Sequence, residues 1–212
     1  MSTPGNSLEG MLTDGRVIVR PLRDGDARDM AAAVGDGEHA VWEPAPGPYT
    51  AERALGVVRE YEQGLLRMEK AAFAILDAST GEFVGSAVLL AGPPPMATGD
   101  DPLPVWLAVP DAVEIAYWVR QEARGRGFAS RAVRLLALWA LDQLGLRCVW
   151  LEADPDNIAS LRVAEKAGFV REVVLPDHCR DAASGEPHDC VIFARLLGEQ
   201  WPAADVEQGG SI

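Results

Sequence analysis

Ala112–Val119, AVEIAYWV, leads into Arg124-Gly125-Arg126-Gly127-Phe128-Ala129, and this junction decides how the rest of the chain is read. The first segment is rich in β-branched and aromatic residues and predicts a strand. After the glycines, FASRAVRLLALWALDQL carries apolar residues at helical spacing, so the glycines fall where a strand hands over to a helix. Such a junction favours anions. Glycine lets the backbone approach a ligand closely, and the first N–H groups of the helix are unpaired donors reinforced by its positive dipole end. Between Arg120 and Arg134 stand five arginines and one glutamate, a local balance of +4 in a chain of net charge -13. Positive charge concentrated at one loop of an acidic chain predicts a phosphate-bearing ligand there.

Two common phosphate motifs do not fit. No run of Gly, four residues and Gly-Lys-Ser/Thr exists, and the dinucleotide pattern needs a third glycine where Ser130 stands. The string instead resembles the R-x-x-G-x-A pyrophosphate loop of the GNAT superfamily, the acyl-CoA-dependent N-acyltransferases, through Arg124, Gly127 and Ala129. The segments that follow, RCVWLEA and NIASLRVAEKAGF, resemble the second half of that family's core in the same order. DNIASLRVAEKAGFVRE is similar to the N-x-x-S, E-K-x-G-F segment of the RimJ/RimL branch, which acetylates protein N-termini and small amines. The resemblance spans Val17 to Leu197 and is most specific from Glu114 to Phe169.

The resemblance implies acetyl-CoA as acyl donor, a primary amine as acceptor and a set of site residues. The Arg124, Gly125, Arg126, Gly127, Phe128, Ala129, Ser130 loop would hold the pyrophosphate with backbone N–H groups, and Arg126 or Arg131 would reach the outer phosphate; the alternative is a helix end capped by solvent. A main-chain N–H near Val119 would polarise the thioester carbonyl, if the strand splays from its neighbour before the loop. Glu114 matches the glutamate that accepts the amine's proton in several members. Flanked by Val113, Ile115 and Tyr117 in a partly buried strand, it would be desolvated and its pKa raised. Strand side chains alternate, however, so the other reading has Glu114 on the solvent side. Ser160 would protonate or hydrogen-bond the leaving thiolate, and Asn157 would touch the CoA arm. The same Asn-x-x-Ser spacing also caps a helix, with Gly168 closing the other end. Many members use a tyrosine as the acid, and none follows Tyr117.

On the acceptor side, Trp42 and Glu43 lie in GDGEHAVWEPAPGPYT, a loop that walls the acceptor site in the family or, on the plainer reading, a surface connection with Trp42 as a packing anchor. Asp177, His178 and Asp181 lie in a turn-rich excursion that family members place near the acceptor. A strongly acidic chain favours a cationic acceptor. The class opposed to an enzyme is a catalytically silent acyl-CoA-binding module, which would keep the glycine loop and lack a working base.

Composition narrows the rest. At 212 residues and 48% hydrophobic content the chain suits one folded domain, residues 16–197, with 1–15 and 198–212 expected to be flexible. No apolar run approaches the ~20 residues that cross a bilayer, and the start has no signal-peptide core, so a cytoplasmic protein without membrane contact is expected. Its acidity argues against nucleic acid. Cys148, Cys179 and Cys190 form no C-x-x-C pair and are expected as buried or idle thiols; with His39, His178 and His188 scattered, no metal is expected. Secondary structure reads as strand RVIVRPL, a short helix to about Val34, a long helix capped by Thr50, the hairpin AAFAIL–DASTGE–FVGSAVLL, and residues 92–111 as a lid or a homodimer contact. The core stretch follows, then strands VREVVL and CVIFARLL around the excursion PDHCRDAASGEPH. This order predicts an α/β (α+β) domain, a mixed sheet flanked by helices, and the resemblance implies that the sheet is mostly antiparallel.

Overall fold

The computed structural model describes residues 10–34, 48–66, 69–92, 111–180 and 184–202. Among them, strands β1 (Leu12–Thr13), β2 (Val17–Pro21), β3 (Lys70–Asp77), β4 (Phe83–Ala91), β5 (Ala112–Val119), β6 (Cys148–Ala153), β7 (Val170–Arg180) and β8 (Pro187–Leu196) form one sheet in the order β1-β2-β3-β4-β5-β6-β8-β7. Every neighbouring pair is antiparallel except β5–β6. Helices α1 (Ala27–Val34), α2 (Ala51–Leu66), α3 (Phe128–Asp142) and α4 (Ile158–Ala167) complete the α/β domain expected from the order of segments.

Strand alternation sorts the core into two faces. Phe73, Ile75, Val113, Ile115, Val149, Leu151, Val191 and Phe193 point to one side, where Ala132, Val133 and Leu136 of α3 and Ala164 and Ala167 of α4 cover them. Ala74, Leu76 and Phe83 point to the other, under Ala27 and Met30 of α1 and Ala54 and Val58 of α2. On that second face, towards β7, Ala112, Cys148, Trp150, Leu175, Ile192 and Ala194 form a smaller apolar cluster.

Local chemistry explains the element ends. The buried Asp26 carboxylate accepts both guanidinium nitrogens of Arg20 at 2.7 Å and the Arg23 N–H at 2.8 Å, which fixes the turn (Asp24–Asp26) into α1. Thr50 Oγ1 accepts the Arg53 N–H at 3.2 Å, so the expected cap of α2 is present. In DASTGE, Asp77 Oδ1 accepts the Ser79 N–H and hydroxyl at 2.9 and 2.6 Å, and Gly81 takes φ 75° to close the hairpin.

Four expectations are corrected. Order begins before residue 16: Asp14 Oδ1 accepts the N–H groups of Arg16 and Val17, and Leu12 and Thr13 pair with Val19 and Ile18. Residues 198–202 stay attached, because Trp201 packs edge-on to Phe169 and under the guanidinium groups of Arg134 and Arg195. The turn-rich excursion is two strand arms, since β7 continues through Pro176 and Asp177 to Arg180 and β8 begins at Pro187. Cys179 and Cys190 are not idle thiols: they are joined as a disulfide across β7 and β8, with Cα atoms 5.8 Å apart. Spacing along the chain concealed this, because the pairing is set by strand register. Cys148 is the buried free thiol, its pKa pushed up to about 12 by burial first and then by the charges of Glu172 and Glu199.

Candidate active site

The site is organised by a parting of strands. β5 pairs with β4 along its whole length, from Val113↔Ala91 to Val119↔Gly85, but with β6 only at Ala112↔Cys148, Val113↔Val149 and Glu114↔Trp150. Beyond Glu114 the two parallel strands separate, and among the described residues β6 pairs with β8 alone. The Arg120 N–H bonds Val84 O at 2.9 Å, which fixes the alternation along β5. Even-numbered residues therefore exchange hydrogen bonds with β4, and Ile115, Tyr117 and Val119 turn their backbone groups into the gap. Gly85 matters here for closeness: a Cβ on it would lie 2.2 Å from Trp118 O and 2.9 Å from Val119 Cα. Sequence reasoning read Gly85 only as a strand residue, with no signal of what stood opposite.

At the end of β5, residues Gln121–Ala123 form one 3-10 turn before the glycines. Gly125 and Gly127 take φ 73° and 81°, conformations that side chains disfavour, and Gly127 is the N-cap of α3. No side chain caps this helix and no acidic residue lies in its first turn. The Arg131 N–H is bonded back to Gly127 O at 3.2 Å, so the N–H groups of Phe128, Ala129 and Ser130 belong to the open first turn. The side chains of these three residues are buried, and Ser130 Oγ donates to Gly127 O at 3.2 Å. They therefore offer a ligand their backbone alone.

Arginines brace the loop. Arg126 Nη2 donates to Asp77 Oδ2 at 3.0 Å while its guanidinium lies 4.7 Å from the Phe128 ring centre, and Arg131 Nη1 bridges to Asp14 Oδ2 at 2.7 Å. Arg124 Nε donates to Val119 O at 3.4 Å, tying the loop to the last residue of β5. Burial pushes the Asp14 pKa up, but hydrogen bonds from Arg131, Val17 and Arg16 outweigh it and hold the carboxyl below its ordinary value. It is therefore a fixed anion at neutral pH.

On the α3–α4 face of β5, the Tyr117 hydroxyl and Ser160 Oγ are 2.9 Å apart. The Ser160 N–H donates to Asn157 Oδ1 at 3.0 Å, so Asn157 is the N-cap of α4 and the serine hydroxyl is left for the tyrosine. Gly168, at φ 95°, closes the helix as expected. Burial raises the Tyr117 pKa, the Ser160 hydrogen bond partly opposing it. Along the chain Tyr117 gives no sign of this contact, because it lies upstream of Ser160 and meets it only across the fold.

On the opposite face lies Glu114, half-buried rather than solvent-facing. Burial first, and the like charge of Glu152 second, push its pKa up to about 7. Glu152 is itself raised by burial, while the charges of His178 and His188 pull it back down. Glu152 was also missed: its position two residues beyond Trp150 on β6 puts it on the Glu114 face, which only the register reveals. Asp177 is exposed, at φ 51°, and its N–H donates to Asp189 Oδ1 at 3.1 Å. Trp42, Glu43, Asp181 and the segment 93–110 lie outside the described residues.

A sheet parted beside an open glycine-bearing helix start is the frame of one class of acyltransferases, and the family match places this chain among them. The family model for the acetyltransferase (GNAT) domain matches residues 16–170, and the chain belongs to that family of acetyltransferases. Along its length it is 26% identical over 194 residues to the probable N-acetyltransferase YjcK of Bacillus subtilis (strain 168), covering 90% of this chain and 100% of the relative. Among solved structures, it superposes with TM-score 0.70 on ribosomal-protein-S5-alanine acetyltransferase from Vibrio fischeri, at 18% identity over 91% of this chain and 100% of the other. It also superposes with TM-score 0.70 on Mycobacterium smegmatis RimJ in complex with CoA-disulfide, at 21% identity over 91% and 89%.

Proposed function

We propose that this acetyltransferase moves an acetyl group directly from acetyl-CoA to a primary amine in the gap between β5 and β6, with Glu114 as base and the Tyr117–Ser160 pair at the leaving thiolate. The observation that carries this reading is the end of β5–β6 pairing at Glu114, which leaves a gap open to both faces of the sheet, Glu114 standing on one face and the Tyr117–Ser160 pair on the other. CoA-bound RimJ among the fold's neighbours supports the donor.

Each residue has a task. The first turn of α3 and the Gly125–Gly127 loop receive the pyrophosphate through backbone N–H groups, and Arg126 and Arg131 can turn from Asp77 and Asp14 to the more strongly charged phosphates. The Val119 N–H, aimed into the gap, polarises the thioester carbonyl and steadies the negative charge that develops on its oxygen. Glu114 takes the proton of the attacking amine, directly or through water; a pKa about 7 leaves it able to accept near neutral pH. As the C–S bond breaks, the Tyr117 hydroxyl gives the thiolate its proton or a hydrogen bond, and Ser160 orients that hydroxyl. Asn157 then serves the site through the helix it caps.

The acceptor we infer is a cationic amine, either a protein N-terminus or a small amino compound. Net charge -13 supports this, as does the pairing of Glu114 with Glu152 on the acceptor face. The ribosomal-protein acetyltransferases among the structural neighbours make N-terminal ribosomal peptides the first to try. Thiol release from acetyl-CoA, measured against such peptides and a panel of small amines, tests the proposal. Release with any of them is expected. Calorimetric CoA binding without release for the whole panel would instead favour a silent acyl-CoA-binding module.

A further inference from the structure

The chain has three cysteines and three histidines, and four of these six residues lie between 178 and 190, as His178-Cys179 and His188-Asp189-Cys190. They stand on the facing arms of β7 and β8. The ligand atoms of Cys179, His188 and Cys190 all lie within 4.8 Å of one another. Cys190 is buried and the other two are half-buried, so the group is a sheltered corner of the sheet rather than a surface scatter.

The backbone is bent to produce this meeting. Leu175 pairs with Cys190, and regular antiparallel pairing would then set Asp177 opposite His188; Cys179 stands there instead. The extra residues bulge out, Asp177 takes φ 51°, and its N–H is held by Asp189 Oδ1 at 3.1 Å. A non-glycine residue in that region costs free energy and persists where its surroundings require it. What the bulge achieves is to bring a second sulfur level with the imidazole and the first.

The surroundings suit a cation. Asp154 Oδ2 lies 3.7 Å from His188 Nε2, so a carboxylate is at hand to hold the ring or to enter a coordination sphere. Glu152 lies close enough to feel the charges of both His178 and His188. Two thiolates and one imidazole form a donor set that selects zinc-class divalent ions over magnesium or calcium.

We propose that Cys179, His188 and Cys190, with Asp154 beside them, form a binding site for a zinc-class divalent cation, available when the Cys179–Cys190 pair is reduced. A dithiol reductant supplies two electrons and two protons to the S–S bond and leaves as its own disulfide. The ion then displaces both protons and bonds to the two thiolates and the imidazole. Disulfide and metal are thus exclusive states of one corner, each bracing the β7–β8 arms on the Glu114 face of the sheet. The site is independent of the assignment of the transfer chemistry.

Cobalt(II) is the probe. Full-length protein is reduced with a small dithiol, desalted without oxygen and titrated with cobalt. The expected result is a thiolate-to-cobalt charge-transfer band and the visible bands of tetrahedral cobalt, saturating at one ion per chain and abolished by an equivalent of zinc. Oxidised protein should show no such bands. Cys179→Ser and Cys190→Ser should each lose the charge-transfer intensity at one equivalent, and Asp154→Asn should weaken cobalt binding roughly ten- to a hundredfold. Cys148→Ser should match the parent. Melting curves confirm that each variant folds. The proposal is overturned if the reduced chain, its three thiols counted with a thiol reagent, shows no band. It is overturned equally if the band survives in folded Cys179→Ser, if Cys148→Ser abolishes it, or if the reductant fails to open the pair.

Discussion

The two sides of β5, proposed above to receive donor and acceptor, are made differently. Around the glycine loop the groups on offer are backbone: Gly125, Gly127 and the N–H groups of Phe128, Ala129 and Ser130 are neighbours along the chain, and their side chains are either absent or buried. Around Glu114 the groups are side chains from separate strands: Glu152 from β6 bears on Glu114 through its charge, and His178 from β7 and His188 from β8 bear on Glu152. A backbone site binds a fixed anion with little dependence on pH. A cluster of carboxylates and imidazoles is tunable, so pH and substitution should act chiefly on turnover and acceptor choice.

Substitutions on the two sides should therefore separate binding from chemistry. The largest effect is expected from Glu114→Gln, which should slow turnover by roughly a hundred- to ten-thousandfold, the usual worth of a positioned base, with CoA affinity in calorimetry nearly unchanged. A parallel loss of CoA affinity would erase the distinction between the sides. Gly127→Glu does the converse. It puts a side chain at φ 81° and a negative charge at the positive end of α3, and should weaken CoA binding by about a hundredfold in a protein that still melts cooperatively. Unchanged affinity in the folded variant would remove the phosphate from this loop.

Smaller effects probe the far end of the gap. Ser160→Ala should lower turnover by about tenfold, or about 1.4 kcal/mol of transition-state stabilisation, because Tyr117 keeps its hydroxyl and loses only the partner that aims it. Asn157 retains the cap, so melting temperature should barely move. A large fall in melting temperature with unchanged turnover would make Ser160 architectural. The smallest expected effect is a displacement of pH dependence in Glu152→Gln. Removing a like charge makes ionisation of Glu114 easier, so the rising limb of kcat/KM should move to lower pH by less than about one unit. A shift to higher pH would mean that the two carboxylates do not face each other.

What was legible in the sequence follows the same division. The strand, glycines and helix of Ala112–Asp142 are contiguous, and their periodicity and φ requirements can be read without any partner. The caps at Thr50 and Gly168 are likewise local, and both are present. Contacts made by register could not be read this way. The Tyr117–Ser160 hydrogen bond joins residues 43 positions apart, Glu152 reaches the Glu114 face through parallel pairing, and Cys179 meets Cys190 through a bulge. The parting of β5 and β6 is a property of two strands together and has no signature in either. Trp201 illustrates a further limit, since polar, glycine-bearing surroundings hid an aromatic anchor that pins the chain to Phe169 and Arg134.

In the mechanism proposed above, one titrating carboxyl on β5, raised by burial and by Glu152, governs the transfer step. It is tested most directly by the pH dependence of thiol release from acetyl-CoA, at saturating donor and with an amine acceptor of low pKa that stays neutral throughout, in the parent and in Glu114→Gln. Glu114 must be ionised to accept the proton, so the parent rate should rise with pH through about 7 and then level. In the glutamine variant that limb should disappear, leaving a low and flat rate. The same rising limb in both proteins would contradict the account and assign the titration to another group.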